Sequence, residues 1–200
     1  MAAAALALYV LFLLLVGGLR AWIHYRRTGD HGFRLHAPNA LARLAGLLLF
    51  AGIVLSGVAP AAELLGIATS FQVMNVTWSR AAGLTLAGAG MTMSMVSQYQ
   101  MGNSWRVGVD PHETTELMTR GLFSVVRNPI FTGVMMGVGG LLMAVPNVLS
   151  ALAVLSVVVG LELQVRAVEE PYLTRVHGDR YLSYARSVGR FVPGIGRFTR

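Results

Sequence analysis

Long apolar runs alternate along the chain with short stretches in which nearly all of its charge is gathered. Five such runs can be marked: about Ala2 to Leu19, Leu44 to Pro60, Ala81 to Ser97, Ile130 to Val145, and Val148 to Leu163. Each is near the ~17–25 residues that carry a helix across a bilayer, although several are short or interrupted by glycine. The pattern predicts an all-α, polytopic membrane protein of about five transmembrane helices. A C-terminal helical hairpin and a cytoplasmic amphipathic helix complete the expected architecture. The first run lacks the basic flank of a signal peptide, and arginines follow it rather than a small-residue cleavage site, so a retained helix is expected.

Composition strengthens this reading. Hydrophobic residues make up 54% of the 200, only 12% are charged, and the mean hydropathy is +0.60. Soluble domains carry about 25% charged residues. Placing five spans on the chain puts fifteen of its sixteen arginines on one side, with Arg80 alone on the other. By the positive-inside rule that side is the cytoplasm, with the N-terminus outside and the C-terminus inside. The net charge of +7 is therefore read as a membrane face, and no nucleic-acid partner is expected. The absence of lysine removes Schiff-base chemistry, and the absence of cysteine removes disulfides, thiolate metal sites and cysteine nucleophiles.

Smaller signals refine the organisation. Pro146-Asn147 between two apolar runs reads as a tight turn that makes the last two spans antiparallel neighbours. Gly133, Gly137 and Gly140 offer a small-residue face for close helix packing, and such faces also permit dimers without fixing an oligomeric state. Met91, Met93 and Met95 read as adaptable packing. Beyond the fifth run, Glu162 with Arg166 and Arg166 with Glu170 are spaced i, i+4 and would lie on one helix face. Gly178-Asp179 interrupts that helix, and a place at the membrane interface is open to Tyr181 and Tyr184, as is usual for such residues.

Groups capable of chemistry cluster at residues 98–110, 115–131 and 162–170. The five histidines form no i, i+4 pair, so no metal site is expected. There is no G-x-S-x-G turn and no phosphate loop, and the GVGG at 137–140 lies inside an apolar run. What remains is Arg127-Asn128-Pro129 before the fourth run and Glu169-Glu170 after the fifth, brought to one border by the hairpin. Asn128 suits a helix cap and Pro129 a first helical position. Two readings stand side by side: a salt bridge from Arg127 or Arg166 to a glutamate that stiffens the hairpin, or a ligand site.

The stretches MGNSWRVGVDPHETTELMTRGLFSVVRNPIFTG and EEPYLTRVHGDRYLSYARSVGRFVP resemble the isoprenylcysteine carboxyl methyltransferases and their bacterial and archaeal membrane relatives. The likeness runs in order from Met101 to Pro193: G-x-N/S-W, a threonine/glycine turn, R-H/N-P-x-Y, a hairpin, E-E-x-x-L, a glycine turn, Y-x-x-Y and R-F-x-P. It implies an S-adenosylmethionine-dependent methyltransferase in a bacterial or archaeal inner membrane, with its site at the cytoplasmic ends of the last helices. On this likeness residues 1–98 are a scaffold of three helices and 99–200 the methyltransferase core.

Carried over residue by residue, the resemblance gives Thr115, Glu116, Leu117 and Met118 to the cofactor. It adds Phe123, Arg127, Asn128, Pro129, Ile130 and Phe131, with Glu169 or Glu170 as the acidic contact. Arg166 would stand near an acidic group of the substrate, and Arg166, Glu169 and Glu170 would form the catalytic set. Asn128 replaces a histidine, keeping hydrogen-bonding capacity. Phe123 and Phe131 replace tyrosines, keeping ring packing but losing two hydroxyls. The implied activity is methyl transfer to a lipophilic or small acceptor taken from the bilayer. A lipid amine or small thiol is the alternative acceptor, and a non-catalytic membrane scaffold is the alternative class.

Overall fold

The computed structural model describes residues 1–34, 39–108 and 116–199. Six helices dominate: α1 (Ala2–Thr28), α2 (Ala40–Leu64), α3 (Thr77–Met101), α4 (Pro129–Ala144), α5 (Val148–His177) and α6 (Asp179–Ser187). Two-residue strands, β1 (Phe33–Arg34) and β2 (Val107–Gly108), pair in parallel. Among the described residues α1, α2 and α5 are long and apolar enough to cross a membrane. The fourth apolar run forms a helix of 16 residues. At 1.5 Å per residue it is roughly 24 Å long, short of a ~30 Å hydrocarbon layer.

The helices outrun the apolar segments at their charged ends. Helix α1 continues through Arg20, Arg26 and Arg27, because helical hydrogen bonding does not stop where side chains turn polar. Inside α1 and α5 the backbone widens into π turns, at Leu13–Leu19 and Val165–Glu169. The second of these changes a sequence expectation. Arg166 pairs with Glu162, but not with Glu170 four residues on, since the wider turn rotates Glu170 away from that face.

Close backbone approach holds α3 to α4. A Cβ on Gly90 would fall 2.4 Å from the Gly133 carbonyl oxygen, and one on Gly140 would fall 2.4 Å from that of Gly83. Gly133 and Gly140 are thus packing residues, while Gly137 faces the Phe12 ring of α1. The Ser94 hydroxyl donates to the Ile130 carbonyl across the same seam, at 3.0 Å. Helix α2 packs on α5 in the same manner, with Gly52 against Val157 and Gly160 against Leu49.

Ends are paired in an alternating way. Ala2 and Ala5 at the start of α1 pack on Leu141, Ala144 and Val145, whereas Arg20, farther along α1, donates to the carbonyl of Gly102 just after α3. Asn147 occupies the short link from α4 to α5. Its Oδ1 accepts from the Ser150 amide at 3.0 Å and its Nδ2 donates to the Ala59 carbonyl at 3.2 Å. Arg80, set apart by its sequence position, pairs with Glu63 at 2.9 Å. Large apolar side chains such as Leu47, Phe50 and Leu155 face outward, a surface suited to lipid.

Candidate active site at the charged helix ends

The site starts from the stretch before α4. A 3-10 turn at Gly121–Ser124 buries Phe123, and Pro129 then opens α4 at its first turn, where a missing N–H leaves no bond unmade. Residues 126–132 are zipped to 189–191. The amides of Arg127 and Asn128 donate to the carbonyls of Gly189 and Arg190, at 2.8 and 3.1 Å. The Thr132 hydroxyl donates to the Phe191 carbonyl at 2.8 Å. Gly189 is needed there, for a Cβ would lie 2.1 Å from the Val192 carbonyl oxygen. Asn128 precedes the helix but its side chain does not cap it; Nδ2 donates instead to the Arg190 carbonyl, at 3.2 Å.

Beneath this zipper lies a buried Arg127–Glu170–Arg190 network. Glu170 Oε1 accepts from Arg127 at 2.7 Å and from Arg190 Nε at 2.8 Å, while Oε2 accepts from Arg190 Nη2 at 3.0 Å. The side chains are only 2% (Arg127), 9% (Glu170) and 10% (Arg190) exposed, so each charge depends on its partners for solvation. Hydrogen bonding to Glu170 raises the pKa of Arg190 further. Arg127 also donates to the carbonyls of Ala185, Val188 and Gly196, tying α6 and the tail after it to the start of α4.

Above the network is a cavity of about 1060 Å³ that opens to solvent. Three separate parts of the chain supply its aromatic wall: Trp105 after α3, Phe123 and Phe131 around the start of α4, and Tyr172, Tyr181 and Tyr184 from α5 and α6. Trp105 is held by Arg20 over its ring, 4.8 Å from the centroid, and by the edge of His24. The hydroxyl of Tyr184 donates to the Phe123 carbonyl. Burial, aided by the charge of Glu170 and opposed by Arg127, pushes the Tyr181 phenol up to about 12; burial also raises Tyr184. Both phenols are neutral at physiological pH and act as donors or as apolar walls rather than as bases.

Most of the residues singled out in the sequence meet here. Glu116, Leu117, Met118, Phe123, Arg127, Asn128, Ile130, Phe131 and Glu169 all line the cavity. Pro129 sets the start of α4 from behind it, and Thr115 lies outside the described residues. Two residues of the expected catalytic set stand elsewhere. Arg166 is off the wall, with its side chain 61% exposed and its Nε bonded to Glu162. Glu170 is likewise off the wall, its carboxylate taken by two arginines.

The adjacent glutamates therefore differ. Glu169 faces the cavity, and among the described residues no cation pairs with it; its contact is a long one, 3.5 Å, from Gln164. Tyr181 and Tyr184 line the cavity, a placement that amphipathic periodicity alone does not reveal. Arg106 and Tyr172 complete the wall and join at 2.9 Å. Neither they nor Arg190 carried an assigned role in the sequence, although Arg190 stands in the R-F-x-P element and Arg106 follows the G-x-N/S-W tryptophan.

A predominantly helical chain with three helices long and apolar enough to cross a membrane among its described residues, and a cavity at their charged ends, is consistent with an integral membrane protein. The phospholipid methyltransferase family model matches residues 78–180, just over half of the 200-residue chain. The chain belongs to that family, which is part of the wider class of membrane methyltransferases resembling the isoprenylcysteine carboxyl methyltransferases. No curated protein is a match for it. The matched segment carries most of the cavity wall, whereas Tyr181, Tyr184 and Arg190 lie beyond it.

Proposed function

We propose that the chain is an S-adenosylmethionine-dependent methyltransferase that modifies a lipophilic acceptor drawn from the bilayer. In this reading α1 to α5 all cross the membrane, α4 and α5 form a hairpin, and the cavity faces the cytoplasm. The observation that carries it is the division of labour between Glu169 and Glu170. One is saturated by arginines, while the other faces a ring-lined cavity, where among the described residues it makes no direct ion pair and feels the charge of Arg106 across the wall. A carboxylate among aromatic faces suits a cationic ligand. When bound, S-adenosylmethionine supplies a methyl group on a positively charged sulfur, open to in-line displacement.

The residues present fit that cofactor. Glu169 would favour its charge, Trp105, Phe123 and Phe131 its apolar and ring surfaces, and the loop at Glu116 to Met118 its polar edge. None of these groups needs to act as a base toward a carboxylate acceptor; an amine or thiol acceptor would require one. The chain's contribution is then positioning and exclusion of water, which in ideal cases is worth on the order of 7–11 kcal/mol.

A second space supports a lipophilic acceptor. An apolar cavity of about 480 Å³ lies between α1, α2, α4 and α5, lined among others by Leu8, Phe12, Ile53, Val134, Val138 and Val157. On α4, Ile130 and Phe131 line the polar cavity, and Val134, Val138 and Leu141 line the apolar one. These positions recur at helical spacing, so one face of α4 runs from one space to the other.

Isothermal titration of the purified protein with S-adenosylmethionine tests the reading. Glu169→Gln should weaken binding about tenfold, or 1.4 kcal/mol. Affinity for the uncharged thioether product, S-adenosylhomocysteine, should change much less. No binding by folded wild-type protein would refute the enzyme reading, and equal losses for both ligands would refute the role of Glu169.

A further inference from the structure

A groove separate from both cavities lies between the charged half of α1 and the end of α3. Leu15, Leu19, Ile23 and Met95 line its apolar part, and Arg20 and Arg27 its polar part. Along α1 the order Leu15, Leu19, Ile23, Arg27 runs from the apolar run toward the charged end of the helix. The groove is therefore graded from hydrocarbon to cation in the direction that a membrane is.

Among the described residues no carboxylate balances the two guanidiniums. Arg20 is 8% exposed, and its one hydrogen bond goes to the carbonyl of Gly102. Its Nε is buried without a partner. Arg27, two helical turns on, makes no ion pair, and among the described residues no carboxylate pairs with either arginine. Other arginines that are buried or half-buried do have a carboxylate: Arg80 has Glu63, and Arg127 and Arg190 share Glu170. The unmet Nε is shared by Arg80 and Arg127, so what sets Arg20 apart is the missing carboxylate: a buried cation without one, at a lipid-facing groove, is stabilised by an anion from outside the chain.

We propose that this groove is a binding site for an anionic glycerophospholipid of the inner leaflet. Its phosphate lies between Arg20 and Arg27, and an acyl chain follows Leu19, Leu15 and Met95 into the bilayer. The backbone is shaped for this: the π turn at Leu13–Leu19 forms part of the wall, and within it the Val16 carbonyl accepts from the Gln98 amide at 2.9 Å. Gln98 lines the groove on one side and the large cavity on the other. The bound phosphate is thus separated from that cavity by Gln98, and it braces the arginine that lies over the Trp105 ring. The site does not depend on the chain being a methyltransferase.

Native mass spectrometry of the full chain in detergent, titrated with dioleoylphosphatidylglycerol, dioleoylglycerol or inorganic phosphate, tests the proposal. The wild type should retain phosphatidylglycerol in preference to dioleoylglycerol, and inorganic phosphate should not displace it at equal concentration. Arg27→Gln should weaken phosphatidylglycerol binding about fivefold, the weight of one arginine at an anionic lipid. It should leave dioleoylglycerol and S-adenosylmethionine affinities unchanged. Arg20→Gln should weaken binding more. If its loss of the Gly102 contact prevents folding, Arg27→Gln decides, because that side chain holds no other part of the chain. Equal retention of the charged and uncharged lipids, full displacement by inorganic phosphate, or wild-type affinity in Arg27→Gln would each overturn the proposal.

Discussion

Glu170→Gln separates the bracing role of this residue from a role at the cofactor. The carboxylate accepts three hydrogen bonds, at 2.7, 2.8 and 3.0 Å, from Arg127 and Arg190. Glutamine keeps the shape and one acceptor oxygen. It turns the other oxygen into an N–H group that faces a guanidinium and leaves two positive charges in a site almost closed to water. Removing one member of such a network costs about 3–5 kcal/mol. Because an acceptor survives, the lower end, about 3 kcal/mol, applies. For a chain of 200 residues that lowers the melting temperature by roughly 6–12 °C. Thermal unfolding followed by circular dichroism in detergent measures it, with S-adenosylmethionine titration carried out well below the transition. The expected result is a lower melting temperature and nearly unchanged intrinsic affinity. Wild-type melting together with lost affinity would mean that Glu170, not Glu169, touches the ligand.

Three further outcomes follow from the packing. Gly90→Leu should prevent α3 from seating on α4, since even a Cβ there would lie 2.4 Å from the Gly133 carbonyl; size-exclusion profile and protease resistance report it, and a native profile would refute the contact. Asn147→Ala removes both the helix cap and the bond to Ala59, and should lower stability by about 2 kcal/mol in chemical unfolding. The Tyr181 phenol, raised in the folded state, favours folding below its ordinary pKa near 10. That contribution declines as the pH rises toward about 12. Tyr181→Phe should therefore flatten the loss of stability over this interval, and an unchanged alkaline profile would refute the assignment.

Much of the architecture was legible because a bilayer imposes long apolar runs and sorts charge between its faces. Gly133 and Gly140 revealed a helix seam, since only residues without side chains tolerate such approach. The border position of Arg127 to Phe131 and of Glu169 was legible from spacing and from the ordered likeness of the motifs. Three things were hidden. The π turn at Val165–Glu169 separates Glu170 from Arg166, and no residue in VRAVE announces it. Arg190 joins Glu170 through a tail whose return to α4 depends on tertiary packing. Tyr181 and Tyr184 carry the same amphipathic signature whether they face headgroups or a ligand cavity, so only the fold of α6 decides between them.

The zipper of 126–132 with 189–191 also has a consequence for the order of synthesis. Trp105 and Phe123 emerge from the ribosome before α4 exists, yet the strap that fastens the start of α4 comes some sixty residues after Arg127. While only the chain through α4 has been made, the wall lacks Tyr181 and Tyr184, and the guanidinium of Arg127 has neither Glu170 nor the carbonyls of the tail. A ligand pocket therefore cannot mature helix by helix. Its wall is complete only once α6 is in place, and Arg127 is fully partnered only once the segment past α6 has packed against the start of α4.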